Sequence, residues 1–571
     1  MFTIESTKVD RFLRHRPGAA ISATELLPAT RRAASLAWQR ISAGVLFWLV
    51  AGSLAHSACT PPPALKARLA SRPTAEAYSA LGSWFGDRKQ FDCAAQAFAS
   101  AARMQPSSSS LQYMWGLSLF SAGHDAEAAA PLRQAVHLDP SDVRPHLVLG
   151  AALDRQKKIA DAENQWRAAL AIDPDSETAL DNLSQDLIEQ KDYPGVVALL
   201  DKPAGSRVRS PLQCLNLGLA YAGEVKLDDA VRVLREGLNT APDSLPIADE
   251  LAVVLMLLIR DQEAYGVFEL ALQKHPGDQT TQLLYLRALV SSHSLKAPQF
   301  ALQLLKEYPD QWEVLYLNAV LEAGEGDSRQ ARVHLERSIA VNPDDAESQK
   351  LLGDVLVKLE DLPHAKEHLE KAIALGDTQP EVQYDLARVL QRLGDVEHAR
   401  QRLQVYQQLK NAQTGRTQAA GKAEMGDQAM AAGNAAQAVV LYREALSTDP
   451  DEPILFYKLS QALEKTNDIA GEKAALQRAI QLNPRLAEAQ NQMGYLAVRA
   501  GDTTQAESYF RAAIQASPSY VVAWVNLAAT QASEARWKEA KQAVDRALEI
   551  DPDNPGARRL DQAIAAAHPS P

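Results

Sequence analysis

The string "HAKEH" at 364–368 sets two histidines four residues apart. On a helix, that spacing puts His364 and His368 on one face, where two imidazoles could reach one divalent metal. Metal-assisted hydrolysis also needs a third ligand and a cleft for substrate. No third ligand stands out in the sequence, and no stretch of chain is left over to build a pocket. Ala365 and Leu369 occupy the apolar stripe of the same helix, which places the histidines on its outer, solvated part. Cys59, Cys93 and Cys214 form no CxxC or CxxH pair, so neither a zinc cage nor a dithiol redox site is supported, and cysteine usage leaves the compartment open. Phosphate-binding loops, GxSxG, GxGxxG and HExxH are absent. The sequence thus reads as a non-enzyme with no metal and no cofactor. An enzyme built on His364 and His368 is the distant alternative.

Bulk properties agree. Hydrophobic residues are 46% of the 571-residue chain, enough to bury a core, and aromatics are only 6%, which favours closely packed helices over an all-β fold. The net charge of −12 argues against nucleic acid as a partner.

One phrase recurs along the chain: "AVHLDP" at 135–140, "ALAIDP" at 169–174, "AIQLNP" at 479–484 and "ALEIDP" at 547–552. The closing prolines Pro106, Pro140, Pro174, Pro242 and Pro276 lie one or two periods of 34 apart, as do Pro450, Pro484, Pro518 and Pro552. The frame slips twice, by a deletion near 300 and a five-residue insertion between about 407 and 420. Fixed spacing at this period marks an array of one repeated unit. Within each unit, apolar residues recur three and four apart in two runs separated by a glycine-containing break, which predicts helix, turn, helix.

With the proline set at position 32, the unit resembles the tetratricopeptide repeat. Gly82, Ala94, Ala101 and Pro106 carry the pattern in the first unit, Gly116, Ala128 and Pro140 in the second, and Gly150, Ala162 and Pro174 in the third. Gly494, Ala506 and Pro518 carry it near the end, followed by Trp524, Ala540 and Pro552. Small residues at positions 8, 20 and 27 let helix axes approach, and large ones fill the gaps. Fourteen units fit, over 75–554. The weak ones are 177–210, where Pro203 replaces an alanine, 279–311, which lacks the small residue at position 8, and the unit from Pro453, where Glu472 replaces an alanine. Trp115, Trp166, Trp524 and Cys214 fall in core positions.

The resemblance implies an all-α fold: a right-handed solenoid of antiparallel helix pairs whose first helices line a concave groove with positions 2, 5, 9 and 12. Read onto this chain, the inward residues include Tyr113, Leu117, Phe120, Leu147, Leu215, Leu219, Val253, Met256, Leu283, Tyr316 and Val320. From 346 to 410 they turn charged, with Glu347, Lys350, Asp354, Glu381, Tyr384 and Arg388. An apolar lining followed by a charged one suits an amphipathic or extended segment of a partner protein. Burial of the apolar residues against neighbouring first helices is the competing explanation. Two groove chemistries known in the family do not match. Lys350 is followed by Asp354 where a chaperone-tail clamp has asparagine, and Asn182, Asn216 and Asn526 are too scattered for an asparagine ladder. A non-catalytic protein-binding scaffold is the expected function, and a self-associating structural array is its alternative.

The first sixty residues differ. No Asp, Glu, Lys or Arg occurs from Ile41 to Leu65, while Arg11, Arg14, Arg16, Arg31, Arg32 and Arg40 precede that stretch. This predicts a basic region at 1–40 and a signal peptide or uncleaved membrane anchor at 41–58, with the repeats exported to the periplasmic side of a bacterial envelope. His56-Ser57-Ala58 fits poorly before Cys59 as a lipoprotein signal. A proline-containing linker (59–74) leads to ten units (75–410), an insertion and hinge (411–418), four units (419–554) and a capping helix with tail (555–571). Gln413-Thr414-Gly415-Arg416-Thr417 lacks apolar residues, so a break is expected there. A longer helix packed across the gap is the alternative.

Overall fold

The computed structural model describes residues 59–201, 208–551 and 554–567. The N-terminal basic and apolar segments, Pro203 and Pro552 lie outside them. Every regular element among the described residues is an α-helix. Helix pairs follow one another from Ala75–Gly86 with Phe91–Met104 to Val521–Ser533 with Trp537–Ile550, and Pro555–Ala567 follows the last pair.

Seven of the pairs close on a glycine at position 8. A Cβ on Gly82 would lie 2.7 Å from the Phe98 ring, on Gly150 2.7 Å from Trp166, and on Gly494 2.5 Å from Phe510. In these repeats position 8 has no side chain because position 24 fills its place, and Trp166 and Phe510 are each 1% exposed. The unit from Gln279 exchanges the sizes: Leu286 occupies position 8 and Ala301 position 24, both fully buried. Trp115 and Trp524 correct the sequence reading, because both are only half-buried. The Trp524 indole instead donates to the Pro518 carbonyl at 2.9 Å.

That bond belongs to a recurring device. At the same repeat position, Gln282, Gln349 and Gln490 donate side-chain amides to Pro276, Pro343 and Pro484 carbonyls at 2.8, 2.9 and 3.0 Å. A polar residue at an apolar position thus satisfies a carbonyl at the joint between repeats. The turn inside each repeat is equally uniform. Its hinge residue is left-handed in all fourteen units, as glycine in five (Gly123, Gly326, Gly394, Gly433 and Gly501) and as another residue in nine. Val225 and Ile259, at φ of 60° and 59°, are β-branched and pay steric strain there.

Two local expectations need correction. The linker after Cys59 contains a helix, Pro63–Ser71, started by a proline at its first turn. Cys59 is joined to Cys93 by a disulfide, which tethers this segment to the second helix of the first repeat. No break occurs at 413–417. One helix runs from Val396 to Ala431, joining the second helix of the tenth repeat to the first of the eleventh. Thr414 and Thr417 return their hydroxyls to the Lys410 and Gln413 carbonyls at 2.9 and 3.0 Å, so neither interrupts the helix. Gly415 lets the helix pass close to the Thr448 carbonyl, which a Cβ would meet at 2.5 Å.

The chain forms two compact units: one is Asp243–Ala516, the other joins the repeats up to Pro242 with the segment from Ser517 onward. Within the first, Glu472 takes the place of an alanine with its carboxylate fully buried. It accepts from the Gln492 amide at 2.9 Å and lies 3.9 Å from the Arg499 guanidinium, and burial raises its pKa. Asp249, 3% exposed, accepts from the Thr281 hydroxyl at 3.2 Å through one oxygen, and its other oxygen has no hydrogen-bond partner. Burial, reinforced by nearby Asp278, pushes the Asp249 carboxyl up to about 7.

Two outcomes follow. Ile259→Asn, at a half-exposed position, relieves the left-handed strain and should stabilise the array by about 1 kcal/mol. A urea midpoint no higher than that of the parent protein would refute this. For Asp249 the folded pKa is raised, so its contribution is fully present below the unfolded carboxylate pKa and is lost as pH rises through about 7. Asp249→Asn should therefore flatten the fall in unfolding free energy between about pH 4 and about pH 7. Identical pH profiles for variant and parent would sink the assignment.

Candidate functional site

The inward positions of the Asp243–Ala516 unit form a graded surface. Val253 and Met256 are buried at 2% and 4% exposure, and Tyr316 at 8%. Leu283 and Val320 are half-buried. Packing between successive first helices thus consumes part of the apolar lining, as the competing explanation anticipated.

Polar pairing begins earlier than the sequence reading placed it. The Arg287 guanidinium is paired with the Glu313 carboxylate, one repeat on. The Tyr316 phenol is hydrogen-bonded to Glu347, and burial together with that carboxylate raises its pKa well above the ordinary value. Lys350 reaches Asp354 at 3.0 Å along the same helix. Asp385, in the next repeat, is pushed up to about 6 by burial and then by the Asp354 charge, with Lys350 and Arg388 opposing. Arg287, Glu313, Glu347, Lys350, Asp354 and Asp385 therefore form a polar seam across four successive repeats.

The seam opens to solvent at its far end. Tyr384 is 41% exposed, its ring 5.2 Å from that of Tyr406 and lying 5.9 Å beneath the Arg388 guanidinium. Arg388 is exposed as well. Lys350, Asp354, Tyr384 and Arg388 are among the residues expected from their repeat positions. Sequence reasoning missed Arg287, Glu313 and Asp385, although the first two also sit at inward positions 9 and 2.

The other unit treats its inward residues differently. The Arg144 guanidinium lies 5.2 Å from the Tyr113 ring, held by Asp142 at 2.7 Å. Arg155 lies 4.0 Å over Phe120 and is anchored by Asp125 at 3.4 Å. Both aromatic faces are capped by cations. Leu117, Leu147 and Leu219 are half-buried, and Leu215 is buried at 8% exposure.

The other chemistry-bearing residues have structural partners. The exposed His364 ring meets Asp361 at 2.7 Å. His368 corrects the reading of a solvated histidine: it is half-buried and meets the Gln349 side-chain oxygen at 2.8 Å, and burial lowers its pKa. Among the described residues no group of three or more His, Cys, Asp or Glu side chains could hold a metal ion. Asn216 donates to Ser184 at 2.9 Å and Asn182 to the Thr178 carbonyl at 2.7 Å, so these two asparagines serve internal bonds. The Cys214 thiol is fully buried, which pushes its pKa up to about 11. Among the described residues no helix is long and apolar enough to cross a membrane.

Sequence profiles of the tetratricopeptide repeat match residues 80–143, 113–177, 316–380, 350–414 and 424–487, and a second profile with the same description matches 497–564. Together they cover more than half of the chain. The type IV pilus assembly protein PilF of Pseudomonas aeruginosa is 28% identical over 209 residues, 35% of this chain and 80% of that protein. The uncharacterized protein ycf37 of Pyropia yezoensis is 30% identical over 123 residues, 20% of this chain and 69% of that protein. Among solved structures, the APC/C hetero-tetramer Cut9–Hcn1 aligns over 82% of this chain and 92% of that one, at 15% identity and a TM-score of 0.31. With helix pairs, glycine-closed contacts and profile matches in agreement, the chain belongs to the tetratricopeptide repeat family.

Proposed function

We propose that the protein is a non-catalytic scaffold that holds an extended or amphipathic segment of a partner protein against its inward surface, on the extracytoplasmic side of a bacterial envelope. The observation that carries the reading is the polar seam ending at exposed Tyr384 and Arg388. It offers an aromatic face, a guanidinium and the Asp354–Asp385 carboxylates within one stretch of groove. Such a surface suits a segment with alternating apolar and charged side chains. The capped aromatics Tyr113 and Phe120 give the other unit an apolar and cationic lining.

The location rests on two features. The basic region before the uncharged 41–58 stretch suits an export signal or an anchor, through which the protein would meet the membrane. The Cys59–Cys93 disulfide suits an oxidising compartment. A cysteine in a disulfide has no thiol left for thioether lipidation, so this state of Cys59 also disfavours a lipoprotein. The match to a protein named for type IV pilus assembly favours a partner in an envelope machine.

A photo-crosslinking residue at Tyr384 in intact cells should capture a discrete partner, while the same residue at exposed Leu302 or Val341 on second helices should not. Equal capture from all three sites would overturn the groove reading. For location, protein taken from cells into denaturant with a thiol alkylator should label at Cys214 alone, and at all three cysteines after reduction. Three labelled cysteines without reduction would reject the oxidising compartment.

A further inference from the structure

Among the described residues, the one after a closing proline is as a rule a solvated turn residue: Ser107, Ser141, Asp175, Asp243, Gly277, Asp310, Asp344, Asp451 and Arg485 are all exposed. Ser519 is the exception, at 7% exposure. Its hydroxyl donates to Asp192 at 2.5 Å, across 327 residues of sequence. Asp192 caps the second helix of the fourth repeat, Tyr193–Leu200, its other oxygen accepting from the Gly195 amide at 3.1 Å.

That repeat is the one whose sequence fits the pattern poorly. Its second helix has eight residues where most others have thirteen or fourteen. Gly195 is buried, and a Cβ there would lie 2.8 Å from the Ser519 hydroxyl oxygen. A few residues on, the helix Trp537–Ile550 packs against both Ile159–Ile172 and Tyr193–Leu200, and Arg546 donates to the Asn164 side chain. All of these residues belong to the same compact unit.

We infer that the second helices of the third and fourth repeats form an interaction surface whose partner is the last repeat of the same chain, clasped by Ser519–Asp192 and Arg546–Asn164. The contact departs from the usual rule that a repeat touches only its neighbours. It gives the poor fit of 177–210 a purpose: a short helix and a glycine make room for the incoming turn. The last repeat is then held by the third and fourth repeats, far from it in sequence.

The test uses the full chain carrying Asn164→Cys and Arg546→Cys, treated with a short bismaleimide at high dilution. A crosslinked product of monomer mass is expected, and Ser519→Asp, which sets a carboxylate against Asp192, should cut its yield at least about fivefold. Product of dimer mass would mean that the surface receives a second copy, and no product would mean that the contact does not form. Either overturns the inference. Because the paired cysteines could themselves disturb the clasp, hydrogen exchange on cysteine-unaltered protein gives an independent reading. Ser519→Asp should speed exchange of 193–200 by about tenfold or more, while Ser107→Asp, at the same position of an unclasped turn, leaves that segment unchanged. Equal exchange in both variants overturns the inference as well.

Discussion

The whole array depends on one close approach, between the first helix of a repeat at position 8 and the large side chain at position 24 of the second. With glycine there, the Phe98, Trp166 or Phe510 ring lies against backbone and the two helices become one rigid hairpin. Dispersion contacts of this kind are individually small, but the ring is surrounded on all sides and the contact recurs along the chain. Where glycine is lost, as at Leu286, the opposing residue shrinks to Ala301 and both remain buried. At that crossing the large and small residues have exchanged sides.

Stacking these hairpins sets what the inward surface can be. Successive first helices lie near enough for Arg287 to reach Glu313 and for Tyr316 to reach Glu347 in the next repeat. Apolar residues in the same positions, such as Val253 and Met256, are covered by neighbours and lost to a ligand. Charged residues there keep only part of their surface, Arg287 and Glu313 at 12% and 17%, and are paired instead. The surface left at these repeat positions is therefore mostly polar, with Tyr384 and Arg388 exposed.

Much of this was legible in the sequence because a 34-residue period reports local packing directly. The helix pairs and the small-against-large contact between positions 8 and 24 both follow from position within the repeat. What escaped was set by longer or subtler causes. Gln349 and Gln490 read as misfits at an apolar position until their amides are seen on proline carbonyls. Residues 413–417 lack apolar side chains, yet a solvated helix needs none where its threonines bond back to the helix itself. The Ser519–Asp192 contact spans 327 residues, and no periodic signal within a repeat can announce it.

The left-handed hinge in every repeat carries an implication for how such a protein changes in length. Its geometry is kept at fourteen sites although only five hold glycine, so the backbone shape is held while the residue drifts. Both frame slips spare it. The shortening near 300 falls after the hinge at His293, where the second helix starts late at Ala297, and the five extra residues are absorbed in Val396–Ala431. The hinge sets the register of each hairpin, whereas the start of a second helix tolerates loss and a joint between hairpins tolerates insertion. Variation in length is thereby channelled to sites where helices lengthen or shorten without undoing the fold of any single unit.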